Sequence, residues 1–167
     1  GFDFEHGRLD VSHHPFCGGV PDDVRITTRY AEADFRQALM GVIHETGHAL
    51  YEQGLPQEWR GQPVSHALSS GTHESQSLLM EMQACRTPEF VAWVTPLLQR
   101  HLQLPGSDDA AWTPQNLHVL FTRVRRGFIR VDADEVTYPL HVVLRYEIER
   151  DLIAGKIEVG DLPALWD

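Results

Sequence analysis

A chain of 167 residues and 19.0 kDa can bury about 70% of the surface it exposes when unfolded, enough to form a core without staples. Hydrophobic residues make up 42% and charged residues 23%, which is the globular range and excludes disorder. Lys plus Arg number 14 against 24 Asp plus Glu, a net charge of −10, so neither nucleic acid nor an anionic membrane is an expected partner.

The first thirty residues read as short strands. Phe2, Phe4 and His6 alternate with Asp3 and Glu5, Gly7 supplies a turn, and Leu9 and Val11 alternate on the return. After a Pro/Gly/Cys loop, Asp23 to Tyr30 carries a β-branched residue at almost every other position, the mark of a half-buried strand. The expectation is a small antiparallel sheet over residues 1–31.

Residues 32–167 read as helical. From Asp34 to Gln53, Phe35, Leu39, Val42, Ile43, Thr46, Ala49 and Leu50 recur at helical spacing before a stop at Gly54 and Pro56. A second helix is expected from Thr72 to Cys85. A third opens on the cap signature Thr87-Pro88-Glu89 and kinks at Pro96. A loop from Leu104 to Trp112 follows, and then a fourth helix from Thr113-Pro114 to about Arg130. The last helix starts at about Glu135 or Thr137 and ends at Ala154, before Gly155. The fold class is mainly α with a small N-terminal antiparallel sheet, in one domain. No apolar run reaches the ~20 residues of a membrane span. Cys17 and Cys85 form no CxxC pair and are expected as reduced thiols of a cytoplasmic protein.

The sharpest motif is His44-Glu45-Thr46-Gly47-His48, an HExxH inside the strongest helical pattern. Residues four apart lie about 40° apart around a helix and about 6 Å apart along it. Two imidazoles so placed can share one tetrahedral Zn²⁺, while Glu45 reaches the attacking water. A catalytic zinc needs a third protein ligand. Residues 49–54 do not continue as an HExxHxxGxxH run, so that ligand comes from elsewhere. Thr72 to Ser77 offers both His73 and Glu74.

Five segments together resemble the carboxypeptidase Taq family of metallocarboxypeptidases. They are His14-Pro15-Phe16, Asp23-x-Arg25-x-Thr27, His44 to His48, His73-Glu74-Ser75-Gln76 and Ile129-Arg130-x-x-Ala133-Asp134. The resemblance implies a mostly helical enzyme that releases C-terminal amino acids from peptides, with zinc or sometimes cobalt. It implies Glu74, and not His73, as the third ligand beside His44 and His48, and a homodimer, since family members commonly are. It also implies a chain about three times this length with a further C-terminal motif, GxxQDxHW, which does not occur here. The expectation is therefore a catalytic-core fragment, 1–167, of a larger enzyme.

In such an enzyme Glu45 is the general base, taking a proton from water and handing it to the leaving amine. The partners are peptides with a free C-terminal carboxylate, which guanidinium binds bidentately. Arg130 is the favoured anchor, from the Ile129 to Asp134 motif. Arg25 is either a second candidate or the partner of a buried Asp23. His14 either lines the cleft, where it could donate to the oxyanion, or is an ordinary loop residue beside Pro15. Asp23 or Asp132 is expected to hold the second nitrogen of a ligand imidazole. The alternatives are a non-catalytic metal-binding fragment and an HExxH endopeptidase.

Overall fold

Asp34 opens the longest helix by accepting a hydrogen bond from the Arg36 amide at 3.0 Å, which satisfies one of the amides a helix start leaves unpaired. Helix α1 (Phe35–Gln53) ends as expected at Gly54, and Pro56 prevents its continuation. The computed structural model describes residues 1–102 and 110–166. They form two compact units, Gly1–Leu117 and His118–Asp167.

In the first unit a three-stranded sheet packs on α1. Its strands are β1 (Gly7–Val11), β2 (Phe16–Val20) and β3 (Asp23–Thr28), in the order β1-β3-β2. The sheet is mixed, which corrects the antiparallel expectation: β3 pairs antiparallel with β2 but parallel with β1. The two-residue connection at Pro21-Asp22 forces β2 and β3 into a hairpin. β1 and β2 lie apart as a split pair, with β3 between them. Ser12 closes the far end, its amide bonded to the Thr28 carbonyl at 2.9 Å and its hydroxyl to Thr27 Oγ1 at 2.7 Å. Gly19 serves the hairpin with φ +114°, and a Cβ there would lie 2.1 Å from the Asp23 carbonyl oxygen. Only glycine fits that backbone.

Alternation along β3 buries Val24, Ile26 and Thr28. Val24 and Ile26 form a core with Ala49 of α1, flanked by Phe2 and Cys17. The segment read as an opening strand is instead a short 3₁₀ turn, Phe4–His6, because the Asp3 carboxylate accepts from the Glu5 amide at 2.9 Å and caps it.

The second expected helix is three segments. Helix α2 (Ser70–Leu78) passes into a π-helical turn, Leu79–Gln83, and then a 3₁₀ turn, Ala84–Arg86. Helix α3 (Pro88–Leu102) begins as expected, with Thr87 Oγ1 accepting from the Phe90 amide at 3.2 Å, and retains Pro96 within its span. Most of the expected Leu104 to Trp112 loop lies outside the described residues; Ala110–Trp112 is a 3₁₀ turn.

Helix α4 (Pro114–Phe121), in which the division between units falls, ends well before Arg130. In the second unit, Asp134 accepts hydrogen bonds from the amides of Arg125, Val136 and Thr137 at 2.8, 3.0 and 2.9 Å. It thereby opens α5 (Thr137–Ile153). A short α6 (Leu162–Trp166) closes the unit, and the Trp166 indole donates to the Phe128 carbonyl at 3.2 Å. No described helix is long and apolar enough to cross a membrane.

Candidate metal centre

Helices α1 and α2 meet where α1 carries a glycine. A Cβ on Gly47 would lie 2.6 Å from both Gln76 O and Ser77 Cα, so only glycine lets the two backbones approach this closely. The contact brings the HExxH face of α1 against the first turns of α2.

There the Nε2 atoms of His44 and His48 lie 3.6 and 3.3 Å from Glu74 Oε2. The three ligand atoms all fall within 4.8 Å of one another. A tetrahedron with bonds of about 2.0–2.1 Å has edges of about 3.3–3.4 Å, so this donor set fits a divalent cation of zinc's size. The other ring nitrogens are engaged: His44 Nδ1 with Glu81 Oε2 at 2.8 Å, and His48 Nδ1 with the His73 carbonyl at 3.0 Å. A carbonyl only accepts, so His48 carries its proton on Nδ1, and its Nε2 faces Glu74. Ser77, fully buried, reaches Glu74 twice, at its carbonyl (2.6 Å) and at Oε2 (3.2 Å).

The electrostatics suit a cation. Burial pulls the His44 pKa down, but hydrogen bonds and charge from Glu74 and Glu81 outweigh it and carry the value up to about 10. Glu45 is buried, and desolvation pushes its carboxyl above the usual range against the opposing pull of His44 and His48.

His73 turns away from the donors. Its Nε2 pairs with Glu52 Oε1 at 2.7 Å, and its ring stacks on His48 with centroids 4.4 Å apart. His14 is exposed in the loop before β2, with Nδ1 against the Pro15 carbonyl. Arg25 alternates to the sheet face opposite the one that packs on α1. Its pairing with Asp23, at 2.6 Å, is a surface contact and not the buried pair expected. Arg130 belongs to the second unit, where its guanidinium hydrogen-bonds the Tyr138 hydroxyl and lies 5.3 Å from that ring's centre.

The outer partner of His44 is Glu81, while Asp23 pairs with Arg25. Sequence reasoning missed Glu81, Glu52 and Arg86. The available trace was an acidic residue, Glu81, inside the apolar stretch of the expected Thr72 to Cys85 helix.

Residues 1–167 match the carboxypeptidase Taq (M32) metallopeptidase family over their whole length. The chain belongs to that family. It is 42% identical over 168 residues to carboxypeptidase 1 of Bacillus subtilis, covering 100% of this chain and 33% of that one. It is 43% identical over 167 residues to thermostable carboxypeptidase 1 of Thermus thermophilus, covering 99% and 32%. Among solved structures, Trypanosoma cruzi metallocarboxypeptidase 1 superposes with a TM-score of 0.91 at 52% identity, over 99% of this chain and 32% of that one. The chain thus spans about a third of the length of the curated relatives it matches. Family membership implies a divalent metal, and His44, His48 and Glu74 are the described residues whose donor atoms converge.

Proposed function

We propose that this chain carries the catalytic centre of a metal-dependent carboxypeptidase, acting on peptides with a free C-terminus. The observation that carries the reading is the convergence of His44, His48 and Glu74 beside a buried Glu45. These three side chains would hold zinc or cobalt. Such a cation supplies Lewis-acid polarisation of the scissile carbonyl and lowers the pKa of a bound water towards 7.

The protein's own residues do the rest. Glu45 takes a proton from the attacking water as its oxygen bonds to the carbonyl carbon. As the C–N bond breaks, Glu45 delivers that proton to the departing amine nitrogen, and it ends ionised as it began. The raised pKa of Glu45 favours the first transfer, in which it acts as the base. Arg130 is the proposed anchor of the substrate's carboxylate, on the strength of its place in the Ile129 to Asp134 motif. His14 and Arg25 are weaker candidates for substrate contact, His14 exposed in its loop and Arg25 on the sheet face away from α1. A cytoplasmic location fits the two free thiols.

The test uses paired peptides, one with a free and one with an amidated C-terminus, incubated with the protein and added zinc or cobalt. Release of C-terminal residues from the free peptide alone is the expected result. Equal cleavage of both sinks the exopeptidase reading in favour of an endopeptidase. Metal binding without cleavage of either leaves a non-catalytic metal-binding chain.

A further inference from the structure

Glu81 stands outside the donor set, yet its side chain is only 14% exposed. A carboxylate so placed is costly to desolvate unless it is paired. Its two oxygens are divided. Oε2 meets His44 Nδ1 at 2.8 Å, and Oε1 lies 3.4 Å from Nη2 of Arg86, whose side chain is 8% exposed. A chain of contacts therefore runs from Arg86 through Glu81 to a ring whose far nitrogen faces Glu74.

The backbone bends to make this chain. Glu81 is the middle residue of the π turn Leu79–Gln83, and Arg86 closes the 3₁₀ turn after it. A π turn holds one residue more than an α turn, which rotates the side chains within it off the α-helical phase. Five residues of the longer bonding pattern sit here between Leu78, the last α-helical residue of α2, and Ala84.

We infer that Glu81 is a positioning residue of the metal centre, aimed by the π turn and by Arg86; the inference rests on the reading of His44, His48 and Glu74 as ligands. Its carboxylate accepts the His44 Nδ1 proton and so leaves Nε2, turned towards Glu74, as the nitrogen that would bind a cation. The two ligand imidazoles are held differently. His48 donates to a neutral main-chain carbonyl, whereas His44 donates to a charged carboxylate. An ionised acceptor makes a stronger hydrogen bond and a more basic ligand. Of the two, only the support of His44 is a side chain that substitution can remove.

The experiment titrates zinc and cobalt into the wild-type chain, Glu81→Ala and Glu81→Gln against a chromophoric chelator. It also records circular dichroism and the cobalt visible spectrum. Glu81→Ala is expected to bind either metal about 10–100-fold more weakly and to shift the cobalt bands. Glu81→Gln, whose amide oxygen still accepts from Nδ1, is expected to recover part of the loss. Wild-type affinity and an unshifted spectrum in a folded Glu81→Ala overturn the inference. Should Glu81→Ala fail to fold, Glu81→Gln decides alone: weaker binding supports the inference, and wild-type values overturn it. A wild-type chain that holds neither metal overturns the metal-centre reading and this inference together. Wild-type binding with no response to Glu81 overturns only the inference.

Discussion

Gly47 and Ser77 stand so close that a methyl group on Gly47 would lie 2.6 Å from the Ser77 Cα. The obstruction is main chain on both sides, so no rotamer change relieves it. Gly47→Ala is therefore expected to part α1 and α2, destabilising the chain by about 1–3 kcal/mol as overpacking does and drawing Glu74 away from His48. Urea unfolding beside a metal titration checks both effects. An unchanged midpoint with unchanged metal affinity contradicts this packing.

Glu45 is proposed to transfer protons and not to ligate metal. Glu45→Gln keeps the shape and loses the base, so turnover should fall by about 10²–10⁴-fold while bound metal per chain stays constant. Steady-state kinetics and metal analysis on the same sample test the pair of expectations. Retained activity would refute the mechanism, and lost metal would show that Glu45 helps hold the cation.

Three converging donors predict that metal stabilises the fold. A ligand at a hundred times its dissociation constant adds about 2.7 kcal/mol. The thermal midpoint should rise when zinc is added and fall again when a chelator removes it. His48→Ala should abolish the response. A midpoint indifferent to metal would argue that the donor set does not bind one.

Asp134 gives a pH prediction in the second unit. Burial pushes its carboxyl up, but hydrogen bonds from the amides of Arg125, Thr137 and Val136 outweigh that and leave the folded pKa below the usual value of 3.8. A depressed folded pKa means that the stabilisation is present above the unfolded value and is lost as pH falls through the folded one. Asp134→Ala should cost about 0.5–2 kcal/mol, as the loss of a helix cap does. Thermal melts between neutral pH and pH 3 should show Asp134→Asn losing less stability than the wild type on acidification. Parallel melting curves would show that the cap carries no charge-dependent stability.

Arg130 is the proposed carboxylate anchor. Arg130→Ala should raise KM for peptides with a free C-terminus far more than it lowers kcat, and Arg130→Lys should recover only part, because an ammonium lacks the bidentate fork. A lower kcat with KM unchanged would assign Arg130 a structural role through its Tyr138 contact.

Much of the site was legible in the residues themselves. HExxH within an apolar helical pattern placed two imidazoles on one face, and Asp34, Thr87 and Gly54 marked helix ends that the structure has at those positions. Capping and periodicity are interactions within a few residues, so they are written locally. The Phe2 to His6 alternation misled for the same reason, because an Asp3 side chain capping its own neighbours outweighed a two-residue period. The Thr72 to Cys85 pattern showed a helix but not its π turn, whose phase shift depends on what Glu81 and Arg86 meet.

The sequence by itself determined the donor types, their helical spacing and the class of chemistry they serve. Only the tertiary structure decided that β1 lies parallel to β3, that Arg25 faces away from α1, and that Gly47 marks a contact between backbones. It also decided that Glu81, and not Asp23, stands behind His44. Each of those outcomes joins residues far apart in the chain, and such pairings are chosen by packing and desolvation across the whole unit, which no local pattern encodes.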